Sequence, residues 1–240
     1  MNPLRRRIHT AMQTRGGAAA FTPASIAGLR IWQDAAQITG LNDGDTVSSW
    51  SDSSGNGLAL TQATGTKQPL YKTGIFGSQP AVLFDGVDDE LVIASHSFSM
   101  TAGTLFVVYK ATATSYGVVR VNNDTAGSWW RFGGDGDGYW GIFYTSRIAG
   151  YPASMPGSNV AASVIDVSTP TVKEVFVNGV SKGTRSVGFN TPDRVNMGGI
   201  VAVGTPRMDG YVAEWGMYDS ALTGANLTAL QNYLAAKYGL

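Results

Sequence analysis

Short runs of β-branched and aromatic residues recur along this chain, and Gly, Asn, Asp and Ser break them every few positions. That punctuation leaves few folds open. The most continuous run, 104–109, predicts a central strand buried on both faces. Further strands are predicted over 28–32, 80–84, 91–93, 116–121, 129–132, 139–144, 160–167, 172–177, 180–184, 197–203 and 211–218. Asn178-Gly179 is the sharpest hairpin signal, because both residues tolerate positive φ. The glycine-rich stretch 133–138 predicts a second hairpin, pairing 129–132 with 139–144. Strands this frequent, joined by turns, indicate an all-β sandwich or jelly roll.

One helix is expected, at the C-terminus. Thr223 is a candidate N-cap. Leu227, Leu230 and Leu234 form an i, i+3, i+7 stripe that Tyr238 extends. Lys237 sits where a helix dipole favours a cation.

Composition agrees. The 31 glycines suit many tight turns, and the lack of cysteine excludes disulfides and thiolate metal sites. A chain of 240 residues can bury a substantial core without such staples. No apolar run is long enough to cross a membrane as a helix. The formal net charge of zero argues against a polyelectrolyte binder and against nucleic acid as a partner.

That neutrality hides an asymmetry. Residues 1–20 carry Arg5, Arg6, Arg7 and Arg15 and no acid, so the rest of the chain is net −4. No continuous apolar stretch follows the arginines, so no secretion signal is expected. Leu4, Ile8 and Met12 share one helical face, and Gly16 to Ala20 reads as a hinge. The organisation expected is a basic arm, 1–20, followed by one domain, 21–240. The arm is a candidate docking element for an acidic protein surface, through Leu4, Arg5, Arg6, Arg7, Ile8 and Arg15.

Five segments carry a family resemblance. They are Ile31-Trp32-Gln33-Asp34-Ala35, Trp50 through Gly57, Gln79 through Asp89, Ala213 through Leu222, and Tyr233 through Gly239. In this order and spacing they resemble the concanavalin A-like lectin/glucanase superfamily. The likeness is to its laminin-G-like branch, often found in phage virion and bacterial surface proteins. The resemblance implies a jelly-roll β-sandwich with one C-terminal helix packed outside, here carrying an extended basic N-terminal arm. It also implies that Trp32, Trp50 and Trp215 are core residues.

Chemistry is sparse. The catalytic members of the superfamily resemble a strand reading Glu-x-Asp-x-Glu, with its carboxylates on one face. Retaining hydrolysis needs two carboxyls about 5 Å apart. The chain has three glutamates, Glu90, Glu174 and Glu214, and none sits in that motif. His9 and His96 are too few for a zinc site or a Ser-His-Asp triad. No enzyme and no required cofactor are expected. Asp52, Asn56, Asp85, Asp88 and Asp89 are oxygen donors in loops and are candidate calcium ligands. Asp135-Gly136-Asp137-Gly138 opens like a calcium loop but lacks the acidic residue at its twelfth position. Trp129, Trp130, Tyr139 and Trp140, beside Asn122, Asn123 and Asp124, form a candidate glycan platform.

The function expected from these features is a non-enzymatic structural protein on the surface of a tailed phage, such as a capsid decoration. The arm would dock on the major capsid protein, and a lectin-like face would point outwards. Synthesis in the host cytoplasm and a homo-oligomeric assembly fit that role. The alternative is a carbohydrate-binding adhesin of a phage tail or a bacterial surface, with a cell-surface glycan as partner.

Overall fold

The computed structural model describes residues 20–94, 96, 100–111, 119–123, 128–134, 140–144, 146–147, 161–169, 172–186, 194–198 and 207–240. In chain order its strands are β1 (Leu29–Asp34), β2 (Ser49–Trp50), β3 (Leu60–Thr61), β4 (Leu70–Phe76), β5 (Gln79–Asp85), β6 (Leu91–Ile93), β7 (Gly103–Ala111) and β8 (Val119–Asn123). They continue with β9 (Ser128–Gly134), β10 (Trp140–Tyr144), β11 (Ser146–Arg147), β12 (Ala161–Ser168), β13 (Val172–Val177), β14 (Val180–Ser186), β15 (Arg194–Met197) and β16 (Asp209–Tyr218). The helix α1 spans Gly224–Tyr238.

Among the described residues the strands form two antiparallel sheets of eight. The first runs β14-β13-β12-β7-β16-β5-β4, with β1 also on β16, and the second runs β11-β10-β9-β8-β15-β6-β3-β2. β16 changes neighbour along its length. Asp209 to Val212 face β5, while Glu214 to Tyr218 face β1. A bulge at Ala213 accompanies the change, because Val212 pairs with Tyr109 and Glu214 with the next residue, Val108.

Two apolar layers result. Leu105, Val107 and Tyr109 of β7 enter the core between the sheets, with Trp50, Leu60, Leu91, Val195 and Met197 of the second sheet. Phe106 and Val108 face the other way, into a layer shared with Leu230, Leu234 and Tyr238 of α1. The middle of β7, 105–109, therefore needs apolar residues at every position, which is why it reads as a continuous run. Trp32, Trp50 and Trp215 are all buried.

Asn178 (φ 48°) and Gly179 (φ 75°) make the turn between β13 and β14. Thr223 occupies the N-cap position of α1, but its side chain makes no capping hydrogen bond. Of the strand predicted over 197–203, Met197 ends β15 and Gly198 follows it, while 199–203 lie outside the described residues. β15 occupies Arg194–Met197, registered against β6 and β8. It leaves the ladder at Gly198 (φ 82°), where an added Cβ would lie 2.2 Å from the Phe84 ring. β4 was not anticipated, since Lys72, Thr73 and Gly74 interrupt its apolar pattern. Residues 1–19 of the arm lie outside the described residues.

Candidate functional site

β1, β16 and α1 meet at a buried polar cluster. Asp34 and Glu214 are paired directly across the two strands. Lys237 Nζ donates to Asp34 Oδ2 at 2.6 Å and to Glu214 Oε2 at 2.8 Å. Trp32 Nε1 donates to Glu214 Oε1 at 2.7 Å. The Tyr238 hydroxyl donates to Glu214 Oε2 at 2.6 Å, and the Tyr233 hydroxyl approaches both oxygens at 3.2 and 3.3 Å. Glu214 is fully buried and Asp34 is 3% exposed. Burial pushes the Glu214 carboxyl above the usual carboxylate range, while Lys237 works against that shift. The tyrosine hydroxyls beside it are pushed up too, first by burial and then by the carboxylate.

This cluster was not read from the sequence. Lys237 lies in the last turn of α1, as the sequence places it, and its ammonium turns inward and bridges two carboxylates. The carboxylate pair satisfies a proximity condition for acid–base chemistry but not an access condition. Both groups lie beneath α1, held by hydrogen bonds, so the arrangement fastens the helix to the sheet.

Asp52 organises the loop that follows β2. Its Oδ1 accepts from the backbone N–H groups of Trp32 and Ser54 at 3.0 and 2.9 Å. Its Oδ2 accepts from the Ser54 hydroxyl and the Leu58 N–H at 2.8 and 3.0 Å. The Asn56 amide donates to the carbonyls of Leu29 and Arg30 at 3.2 and 3.0 Å. Asp52 and Asn56 thereby stitch the loop to β1.

The other three calcium candidates do converge. Asp85, Asp88 and Asp89 place ligand oxygens within 4.8 Å of one another. Asp52 is not part of that group, so the five candidates do not form one site. Asp85 Oδ1 accepts from the N–H groups of Val87, Asp88 and Asp89 at 2.8, 3.2 and 3.4 Å. Asp89 Oδ2 accepts from the Asp85 N–H at 3.0 Å. These are the bonds of a tight aspartate turn. Burial, and then the neighbouring Asp85 charge, push the Asp89 carboxyl up to about 6. Glu90 beside it lies 3.8 Å from both Lys67 and Arg207.

The aromatic candidates fall on strands of the second sheet. Trp129 lies opposite Asn122, and Trp130 opposite Val121. Trp140 lies opposite Gly134, four positions beyond Trp130. The register therefore does not set Trp140 directly beside Trp129 or Trp130. The hairpin forms as expected, but its ladder is offset towards the loop. Tyr139 and Asp124 lie outside the described residues, as do the arm candidates Leu4, Arg5, Arg6, Arg7, Ile8 and Arg15.

No family model and no curated protein matches the sequence. Solved structures do match in fold. Domain 4 of AbnA, a GH43 extracellular arabinanase from Geobacillus stearothermophilus, was solved in complex with arabinotriose. It superposes with a TM-score of 0.60 at 16% identity, over 79% of this chain and all of that one. The botulinum neurotoxin serotype D binding domain gives 0.58 at 9%, over 86% of this chain and 51% of its own. An arabinofuranosidase complexed with arabinofuranosyl-α-1,2-xylobiose gives 0.58 at 14%, over 80% and 51%. The chain shares their fold. It spans about half the length of the latter two.

Two outcomes are expected of this geometry. Replacing Lys237 by Met strands two buried carboxylates and should cost about 3–5 kcal/mol of stability, measured by urea unfolding. Asp89 holds its proton in the folded chain between its ordinary value of 3.8 and about 6. The stability this contributes is complete below the lower value and is lost as pH rises through the upper one. Asp89→Asn should flatten that part of the stability–pH curve and gain on the wild type above it. An unchanged slope would detach the titration from Asp89.

Proposed function

We propose that this protein is a non-enzymatic, lectin-like module that recognises glycans and requires no cofactor. The observation that carries this reading is the superposition over the full length of a domain solved with arabinotriose bound. The carboxylates support it. Glu214 and Asp34 are committed to Lys237, and Glu174 Oε1 accepts from the Ser181 hydroxyl at 2.7 Å on an outer hairpin. Glu90 stands between two cations. None of these pairs leaves an open cleft between an acid and a nucleophile.

The purified protein should retain neutral oligosaccharides such as arabinotriose on an affinity column and release no reducing ends from them. Sustained release, abolished by changing Asp88, Asp89 or Glu90, would overturn the non-enzymatic reading. The acidic turn is tested alongside. Millimolar calcium after exhaustive chelation should leave the melting temperature unchanged, because a ligand held only by the folded state would raise it.

A second reading concerns where the module works. The charge contrast between a basic arm and a net-acidic body favours docking on an acidic surface. In this reading the arm anchors the domain to a virion, on the major capsid protein, with the glycan-recognising face outwards. Deleting residues 1–20 should then leave the sandwich folded and abolish co-sedimentation with undecorated phage capsids. Equal co-sedimentation of the truncated and full-length proteins would remove the arm from attachment and leave the adhesin reading.

A further inference from the structure

Between β1 and β2 the chain makes a short 3-10 turn, Ala35–Gln37, and then a loop that runs along β4, the edge strand of the first sheet, before entering β2. The two walls enclose a notch of about 160 Å³. Gln37, Thr39, Thr46, Ser48, Ser49 and Ser51 line it with polar side chains, and Ile38 and Leu41 complete the lining. Ile38 and Leu41 are half-buried and packed on the inter-sheet core. The six polar residues are exposed, and none of their side chains makes a hydrogen bond among the described residues.

We propose that this notch is a subsite for one uncharged sugar residue. The proposal rests on the glycan-binding reading above and gives it a location. Five hydroxyls and one carboxamide each offer both donors and acceptors, which is what a ring of sugar hydroxyls requires. No lining residue is charged, so nothing in the notch selects a uronate, a sialic acid or a phosphate. The apolar carbons of Ile38 and Leu41 provide a surface for the C–H face of a ring. The volume equals that of about five waters, well below the several hundred Å³ of a pocket for a larger ligand. A single terminal or branch residue fits that space, and a buried chain does not.

The walls are fixed before any ligand arrives. Asp34 Oδ1 accepts from the Ala36 N–H at 3.0 Å, and the Ile38 N–H donates to the Ala35 carbonyl at 3.2 Å, which sets the turn. Across the notch, Val47 N–H donates to the Pro69 carbonyl at 2.8 Å, and Val47 and Trp50 are fully buried. Anchoring these two residues holds Thr46, Ser48, Ser49 and Ser51 outward. A preformed wall loses little entropy on binding, so weak individual hydrogen bonds can add up.

The test uses the full chain with arabinotriose and a panel of neutral and charged oligosaccharides. Binding is followed by calorimetry and by backbone amide NMR shifts. Two variants alter exposed positions only: the triple Gln37→Ala/Thr39→Ala/Ser49→Ala, and Thr46→Arg, which fills the space. Neutral sugars should bind and shift amides within 37–51. Each variant should weaken binding about tenfold or more at an unchanged melting temperature. Undiminished binding by both variants, or shifts confined to 119–144, would overturn the notch and leave the glycan reading standing. Binding of charged sugars alone would overturn the notch as a neutral subsite. No binding by the wild-type chain would remove the glycan reading and the notch with it. Should a variant unfold, the shifts on the unaltered protein decide.

Discussion

The contact between Glu214 and Lys237 holds the architecture together at its crossing point. β16 is the strand through which β1, β5 and β7 are joined, and its outer face would be open without α1. A purely apolar helix would meet that face in many registers. A buried carboxylate that accepts from Trp32, Tyr238 and Lys237 permits one. The bulge at Ala213 places Glu214 on the helix side while Trp215 continues into the inter-sheet core. Buried ion pairs are poor sources of net stability, because desolvation offsets most of the attraction. Here the satisfied network fixes position, and the apolar layers on either side supply the driving force.

That arrangement explains why the family-like segments are spaced as they are. Ile31 to Asp34 is the end of β1, and Ala35 opens the turn after it. Trp50 to Gly57 is the loop that Asp52 and Asn56 bind to β1. The segment from Ala213 is β16, and Tyr233 to Gly239 is the end of α1 that reaches Glu214 and Asp34. Four of the five segments are thus parts of one joint, and the fifth is β5 with its aspartate turn. The resemblance records how the sandwich is fastened. It does not by itself report what the sandwich binds.

Much of the fold was legible in the sequence because it is set locally. β7 announces itself by burial on both faces, and the β13–β14 turn by Asn178-Gly179. The apolar stripe of α1 likewise gives its length and its buried side. The ladder position of β15 and the inward turn of Lys237 depend on contacts across most of the chain, and no local pattern encodes them. The surroundings of the candidate site residues are likewise set by contacts distant in sequence. Asp52 has the chemistry of a metal ligand, but its oxygens are used in holding a loop. Trp129 and Trp140 lie on neighbouring strands, and only the register gives their offset along the hairpin. The notch was missed for the opposite reason. Its Ser, Thr and Gln residues are unremarkable one by one, and only the anchoring of Val47 and Trp50 aligns them.

The layer between α1 and the first sheet has a consequence for how the domain can be joined to anything else. Phe21 packs edge-on against Tyr233 at 5.9 Å, and Tyr218 donates to the Pro23 carbonyl at 2.9 Å. Leu240 rests on the same apolar layer. Phe21 and Leu240 therefore lie on one flank of the sandwich, against the same helix. A domain built this way can be spliced into a loop of another protein, or have its ends exchanged, without unthreading a strand. Tension applied through both ends would fall first on the short α1–β1 junction, where the buried cluster lies, and only afterwards on the sheets.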